Sequence, residues 1–122
     1  MRTVDHRRQL GQLGEQAAAR YLIANGYHLL ERNWRCRLGE IDLVATREDQ
    51  IIFIEVRTRA GSRFGSGAES VDHRKQAKLR QLALVYLCEK GLSQEVKLRF
   101  DVVSIQLLED GRYEIDHIRH AF

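Results

Sequence analysis

The sequence predicts a single α/β domain, a mixed β-sheet flanked by helices in the order αβββαββ. Two stretches carry apolar residues at helical spacing, five read as strands, and glycines or short polar segments stand at the joins. From Gln9 to Asn25 the residues Leu10, Leu13, Ala17, Tyr21 and Ala24 recur every three or four positions. Gly26 then stands where a helix ends in the left-handed conformation. Tyr27 to Arg35 reads as a strand, with a turn at Leu38-Gly39. Glu40 to Thr46 and Ile51 to Thr58 alternate as two strands, and the polar Arg47-Glu48-Asp49-Gln50 joins them into a hairpin. Ala60 to Ser70, with Gly61, Gly65 and Gly67, reads as a mobile loop. A second helix spans Val71 to Lys90 and stops at Gly91. Leu98 to Leu108 and Tyr113 to Ile118 complete the sheet around the turn Glu109-Asp110-Gly111-Arg112.

Composition narrows the class. A chain of 122 residues, 43% hydrophobic and 30% charged, suits one domain with one core and is unlike a disordered chain. No apolar run approaches the roughly 18 residues of a membrane span, and MRTVDHRRQLG has no apolar signal centre, so the expected location is the cytoplasm, away from membranes. Cys36 and Cys88 form no CxxC pair and are expected to be free thiols. His6, His28, His73, His117 and His120 show no metal-ligand spacing. The net charge of +3 is compatible with a polyanionic partner without requiring one.

Chemistry concentrates in the hairpin. Residues two apart on a strand share a face, so Ile51, Phe53, Glu55 and Arg57 point one way. A two-residue turn on Glu48 and Asp49 sets Asp42 directly opposite Glu55, Glu40 opposite Arg57 and Val44 opposite Phe53. Two opposed carboxylates repel, destabilise the sheet and push one pKa up unless a cation offsets them. Mg²⁺ takes oxygen ligands and commonly uses one or two carboxylates plus water, so Asp42 and Glu55 are candidate metal ligands. A bulge at this point would move one carboxylate to the other face.

In the second helix, Lys75 and Lys78 fall in one row with Val71, Leu82 and Val85, so both ammoniums leave from the buried stripe. Their stems either snorkel to the rim or point over the sheet toward the carboxylates, where they would meet phosphate. Arg57, Arg59 and Arg63, followed by the glycine-rich loop, extend the same basic surface. Trp34 and Tyr27 are expected in the core before any role in base stacking.

Glu15 within LGEQAAARYL, then GEIDLVA, IFIEVRTR, Lys75 and Lys78, and RFDVVSI together resemble the YraN-like family of uncharacterised bacterial proteins over nearly the whole chain. That family is similar in outline to archaeal Holliday junction resolvases of the restriction-endonuclease-like superfamily, whose signature is an Asp on one strand and Glu-x-Lys on the next. The resemblance implies a single restriction-endonuclease-like domain over 1–122 and a metal-dependent endonuclease that hydrolyses DNA. Asp42 matches the Asp, Glu55-Val56-Arg57 matches Glu-x-Lys with arginine in place of lysine, and Glu15 matches the acid of the first helix. In such a site Asp42, Glu55 and the Val56 carbonyl hold Mg²⁺ or Mn²⁺. Arg57 grips phosphate but is a poor base. Arg57, Arg59, Lys75 and Lys78 are the candidate nucleic-acid contacts, with DNA favoured over RNA and a homodimer plausible for cutting two strands.

Plainer readings stand beside these. Asp42 and Glu55 are alternatively a strand-end pair neutralised by Arg57 or Arg59. Glu15, within about 20° of Leu22 around the helix, is alternatively a rim residue paired with an arginine. Glu40 with Arg57 reads as a cross-strand ion pair and Asp101 as a structural acid. Two other functions follow: a nucleic-acid binder of nuclease fold without efficient cleavage, or a protein interaction module in which the acidic pair is structural.

Overall fold

The computed structural model describes residues 6–61, 71–92 and 95–122. Its elements are α1 (His6–Ala24), β1 (His28–Cys36), β2 (Gly39–Arg47), β3 (Gln50–Ala60), α2 (His73–Glu89), β4 (Lys97–Leu107) and β5 (Tyr113–Ile118), the predicted order. The five strands lie side by side in chain order, antiparallel except for the parallel pair β3–β4. The predicted loop falls outside the described residues from position 62 to 70, together with Arg63, Gly65 and Gly67. No helix is long and apolar enough to cross a membrane among the described residues.

Both helices stop where glycine permits a left-handed turn. Gly26 has φ 88°, and the Tyr27 and Gly26 amides donate back to the Leu22 and Ile23 carbonyls at 2.9 and 3.1 Å. Gly91, at φ 66°, closes α2 in the same way: Leu92 N–H reaches the Leu87 carbonyl at 2.9 Å. At the other end of α2, Asp72 is the N-cap, its Oδ1 accepting from Lys75 N at 2.8 Å. This cap starts the helix at His73 and sets Lys75 in its first turn.

Each face of the sheet carries its own core. Trp34, Ile41, Phe53, Leu82, Tyr86 and Val102 pack under α2, whereas Ala18, Leu22, Leu43, Ile52, Ile54 and Val103 pack under α1. Trp34 and Tyr27 are buried as expected. Cys36 and Cys88 are unbonded to each other.

Helix α1 buries the predicted stripe only in part: Ala17 and Tyr21 pack in the core under it, but the stripe is shifted at its two ends. Leu13 is 54% exposed and Ala24 is exposed, while Gly14, Ala18 and Leu22 face the sheet. Small residues win because they let the helix backbone settle close to β3: a Cβ at Gly14 would overlap the Thr58 hydroxyl.

The β2–β3 hairpin turns on Glu48 and Asp49 as predicted, with Arg47 opposite Gln50 and Val44 opposite Phe53. Its ladder ends at Leu43–Ile54. Asp42 and Glu40 lie beyond it, so neither closes a regular cross-strand pair with Glu55 or Arg57. Glu40 instead lies opposite Arg35 on β1 and bonds its Nε at 3.0 Å on the exposed surface.

Candidate functional site

Asp42 sits where the β1–β2 ribbon turns over. Between the pairs Arg32–Leu43 and Trp34–Ile41, Asn33 takes φ 51° in the left-handed region that asparagine tolerates better than most side chains. Strand alternation alone would keep Ile41 and Leu43 on one face. Instead Leu43 joins the core under α1, and Ile41 and Trp34 join the core under α2. The ribbon therefore rotates at Asp42, at the same point where β2 parts from β3. A gap opens there in the hydrogen-bond ladder, and Asp42 fills it, its Oδ2 accepting from Val56 N at 2.8 Å.

Four acids gather at this gap. Burial pushes the Asp42 carboxyl up to about 7, with the charges of Glu55, Glu15 and Glu40 adding to the rise and the Val56 amide opposing it. Glu55 comes from the α2 face of β3, continuing the Ile51–Phe53 row. Glu15 comes from the turn of α1 that Gly14 seats against Thr58. It lines a polar groove of about 340 Å³ with Gln12, Gln16, Arg32 and Asn33.

Cations approach from α2. Lys75 Nζ lies 3.0 Å from Glu55 Oε1, so of the two predicted routes this lysine takes the one over the sheet. Lys78 takes the other. It is exposed, and its stem passes along Gly39, whose added Cβ would stand 3.5 Å from Lys78 Cε. Arg74, Lys75, Lys78 and Gln81 line an open groove of about 570 Å³ on α2 that begins at the Asp72 cap. Arg57 and Arg59 are half-buried on β3 beyond Glu55, and each has an interaction partner.

Asp42 and Glu55 offer only oxygen donors, the kind a hard cation takes. Among the described residues no group of three or more His, Cys, Asp or Glu side chains could hold a metal ion. Two carboxylates with a backbone oxygen and water are nevertheless enough for Mg²⁺ or Mn²⁺. In an extended strand the N–H and C=O of one residue point to the same edge, so the Val56 carbonyl faces the gap into which its amide donates. The Asp42 carboxyl is raised first by burial and then by the neighbouring Glu55.

A second buried carboxylate lies elsewhere. Asp101, 1% exposed, is gripped by Arg99 Nε and Nη2 at 2.9 and 2.8 Å, by His117 Nε2 at 2.7 Å and by the His120 amide at 3.2 Å. Arg99 also donates to Tyr27 Oη at 2.7 Å, and Tyr21 Oη bonds His117 Nδ1 at 3.0 Å. Burial pushes Asp101 upward, but the hydrogen bonds from His117 and Arg99 outweigh it and hold the carboxyl below its usual range. This is the structural acid expected at Asp101. His117, placed by the sequence on the last strand without a metal-ligand spacing, belongs to the cluster. The signal for the cluster was present, since Arg99 and Asp101 share a strand face two residues apart.

These features define a mixed α/β domain with an acidic gap at a strand divergence and a basic helix beside it. A family model described as "Uncharacterised protein family UPF0102" matches residues 14–105. Among similar proteins, a UPF0102 protein of Moorella thermoacetica is 50% identical over 95% of this chain and 97% of its own length. One from a Parafrankia species is 46% identical over 93% and 96%. The chain belongs to the UPF0102 family, in agreement with the YraN-like resemblance.

Proposed function

We propose that the chain is a divalent-metal-dependent endonuclease that hydrolyses DNA phosphodiester bonds. The supporting observation is the gathering of Asp42, Glu55 and Glu15 at the β2–β3 gap, with the Arg74–Lys75–Lys78 surface of α2 alongside. A bound Mg²⁺ or Mn²⁺ supplies Lewis-acid polarisation of the phosphoryl oxygen and an acidified water. Asp42 and Glu55, with the Val56 carbonyl, are the groups that would hold it. Glu15 reaches the same charge from α1 and orients water or a further cation. Arg57 and Arg59 position phosphate, and Lys75 and Lys78 track the backbone, contacts that carry affinity without sequence information. The preference for DNA over RNA, and a homodimer cutting two strands, rest on the resemblance to resolvases.

One observation favours a second reading, a nucleic-acid binder of nuclease fold with little cleavage: arginine stands at position 57, where a base would be lysine. Cleavage of labelled single-stranded, duplex and branched DNA in Mg²⁺ and Mn²⁺ separates the two. Under the nuclease reading the native protein cuts, Glu55→Ala is inactive and Arg57→Lys cuts at least as fast. Salt-sensitive binding without cutting by native or Arg57→Lys protein selects the second reading. Neither binding nor cutting sinks both, leaving the acidic pair as a structural feature of an interaction module.

A further inference from the structure

We propose that Lys75 is an exchangeable counter-ion, paired with Glu55 when no metal is present and released to the phosphate backbone when a divalent cation takes its place. The proposal rests on the metal-site reading of Asp42 and Glu55.

Position supplies the first argument. The Asp72 cap starts α2 so that Lys75, three residues on, reaches off the helix to Glu55, with 3.0 Å between Nζ and Oε1. The Glu55 side chain is 14% exposed while that of Lys75 is 50% exposed. One partner is held by the sheet and the other is half in water, so the pair has a fixed member and a mobile one. An ammonium on a four-carbon stem is a compact charge that can leave one anion for another, unlike a guanidinium locked in a planar fork.

Charge supplies the second. Glu55 is one of the two carboxylates that would bind a metal, and Lys75 already sits on its Oε1, so the ammonium and a divalent cation compete for one charge. Lys75 brings a single positive charge to Glu55, while Asp42 accepts only from the Val56 amide, so one ammonium does not answer two carboxylates. A divalent cation between the two carboxylates neutralises both and removes the reason for Lys75 to remain. Released, Lys75 lies beside Arg74 and Lys78 in the α2 groove, where a phosphate is the available anion. Lysine thereby reaches the site from the helix, although the strand offers only Arg57.

Two measurements test the exchange, and neither requires cleavage. Mn²⁺ binding to the full chain, followed by electron paramagnetic resonance, should be about tenfold tighter in Lys75→Met than in native protein, because a cation competing at contact distance has gone. Lys75→Arg, which keeps the charge, should stay near native affinity. The salt dependence of binding to labelled branched DNA should lose about one unit of slope in Lys75→Met when Ca²⁺ fills the site, and change little in metal-free buffer. Equal Mn²⁺ affinity in native and Lys75→Met, no Mn²⁺ binding by either, or the same loss of slope with and without Ca²⁺ overturns the proposal. A native protein that shows the exchange but never cuts DNA counts against the nuclease reading alone.

Discussion

Asp42 on β2 and Asp101 on β4 are both largely buried aspartates of one sheet, with β3 between them, yet their surroundings push them in opposite directions. Asp101 receives two bonds from Arg99, one from His117 and one from a backbone amide. Asp42 receives one backbone amide and faces Glu55, Glu15 and Glu40. The first acid is answered within the fold and ends below its usual range; the second, raised first by burial and then by the neighbouring acids, rises to about 7. A carboxylate that the fold compensates holds the fold together, whereas one buried beside other acids with a single amide for a partner is the one our proposal gives to a ligand.

Removing the compensation at Asp101 is the hardest way to break this contrast. Arg99→Met strands a buried carboxylate among apolar neighbours and should cost about 3–5 kcal/mol in urea unfolding at neutral pH. Part of that loss should be recovered in Arg99→Met/Asp101→Asn, which removes the charge as well.

The opposite sign is expected at Asp42. Its folded-state value lies above the usual 3.8, so the native state holds a proton that the unfolded chain releases between about pH 4 and 7. Stability from this group is therefore present at low pH and falls as pH rises through that window. Asp42→Asn keeps an acceptor for the Val56 amide without the charge. In EDTA it should gain about 2–4 kcal/mol over native protein at pH 8 and almost nothing at pH 4. Asp101, held below 3.8, works the other way: its contribution is complete above the unfolded value and is lost as pH falls through the lower folded value. Urea titrations across pH 3 to 8 should thus show native stability declining at both ends, and only the upper decline should vanish in Asp42→Asn.

The smallest effect belongs to the surface. Glu40→Gln removes an exposed pair with Arg35 and should change unfolding by less than about 0.5 kcal/mol, any larger loss meaning that Glu40 belongs with the structural acids. Its charge nonetheless contributes to the rise at Asp42, so the midpoint of the neutral-pH decline should move slightly downward.

How much of this was legible follows from the range of each interaction. Periodicity and the glycines at 26 and 91 are properties of neighbouring residues, and they predicted the element order and both helix ends. The turn on Glu48 and Asp49 set the hairpin register, because a two-residue turn leaves one pairing open to the strands that follow it. It also placed Asp42 and Glu55 near one another. The sequence did not reveal that the ladder stops at Leu43–Ile54, since Asn33 on a third segment turns the ribbon over there. The stripe of α1 was legible at Ala17 and Tyr21 but not at Leu13, because hydrophobicity favoured Leu13 while close approach to Thr58 required Gly14.

By itself, then, the sequence determined the succession of helices and strands, the register of the central hairpin and the residues from which an acidic site can be built. Local backbone preferences and side-chain alternation suffice for those. Only the tertiary structure decided that Asp42 caps a broken ladder, that Lys75 and not Lys78 reaches Glu55, and that His117 and Arg99 jointly neutralise Asp101. Each depends on where separate elements stop and meet, and burial there sets how strongly charges far apart in the chain act on one another.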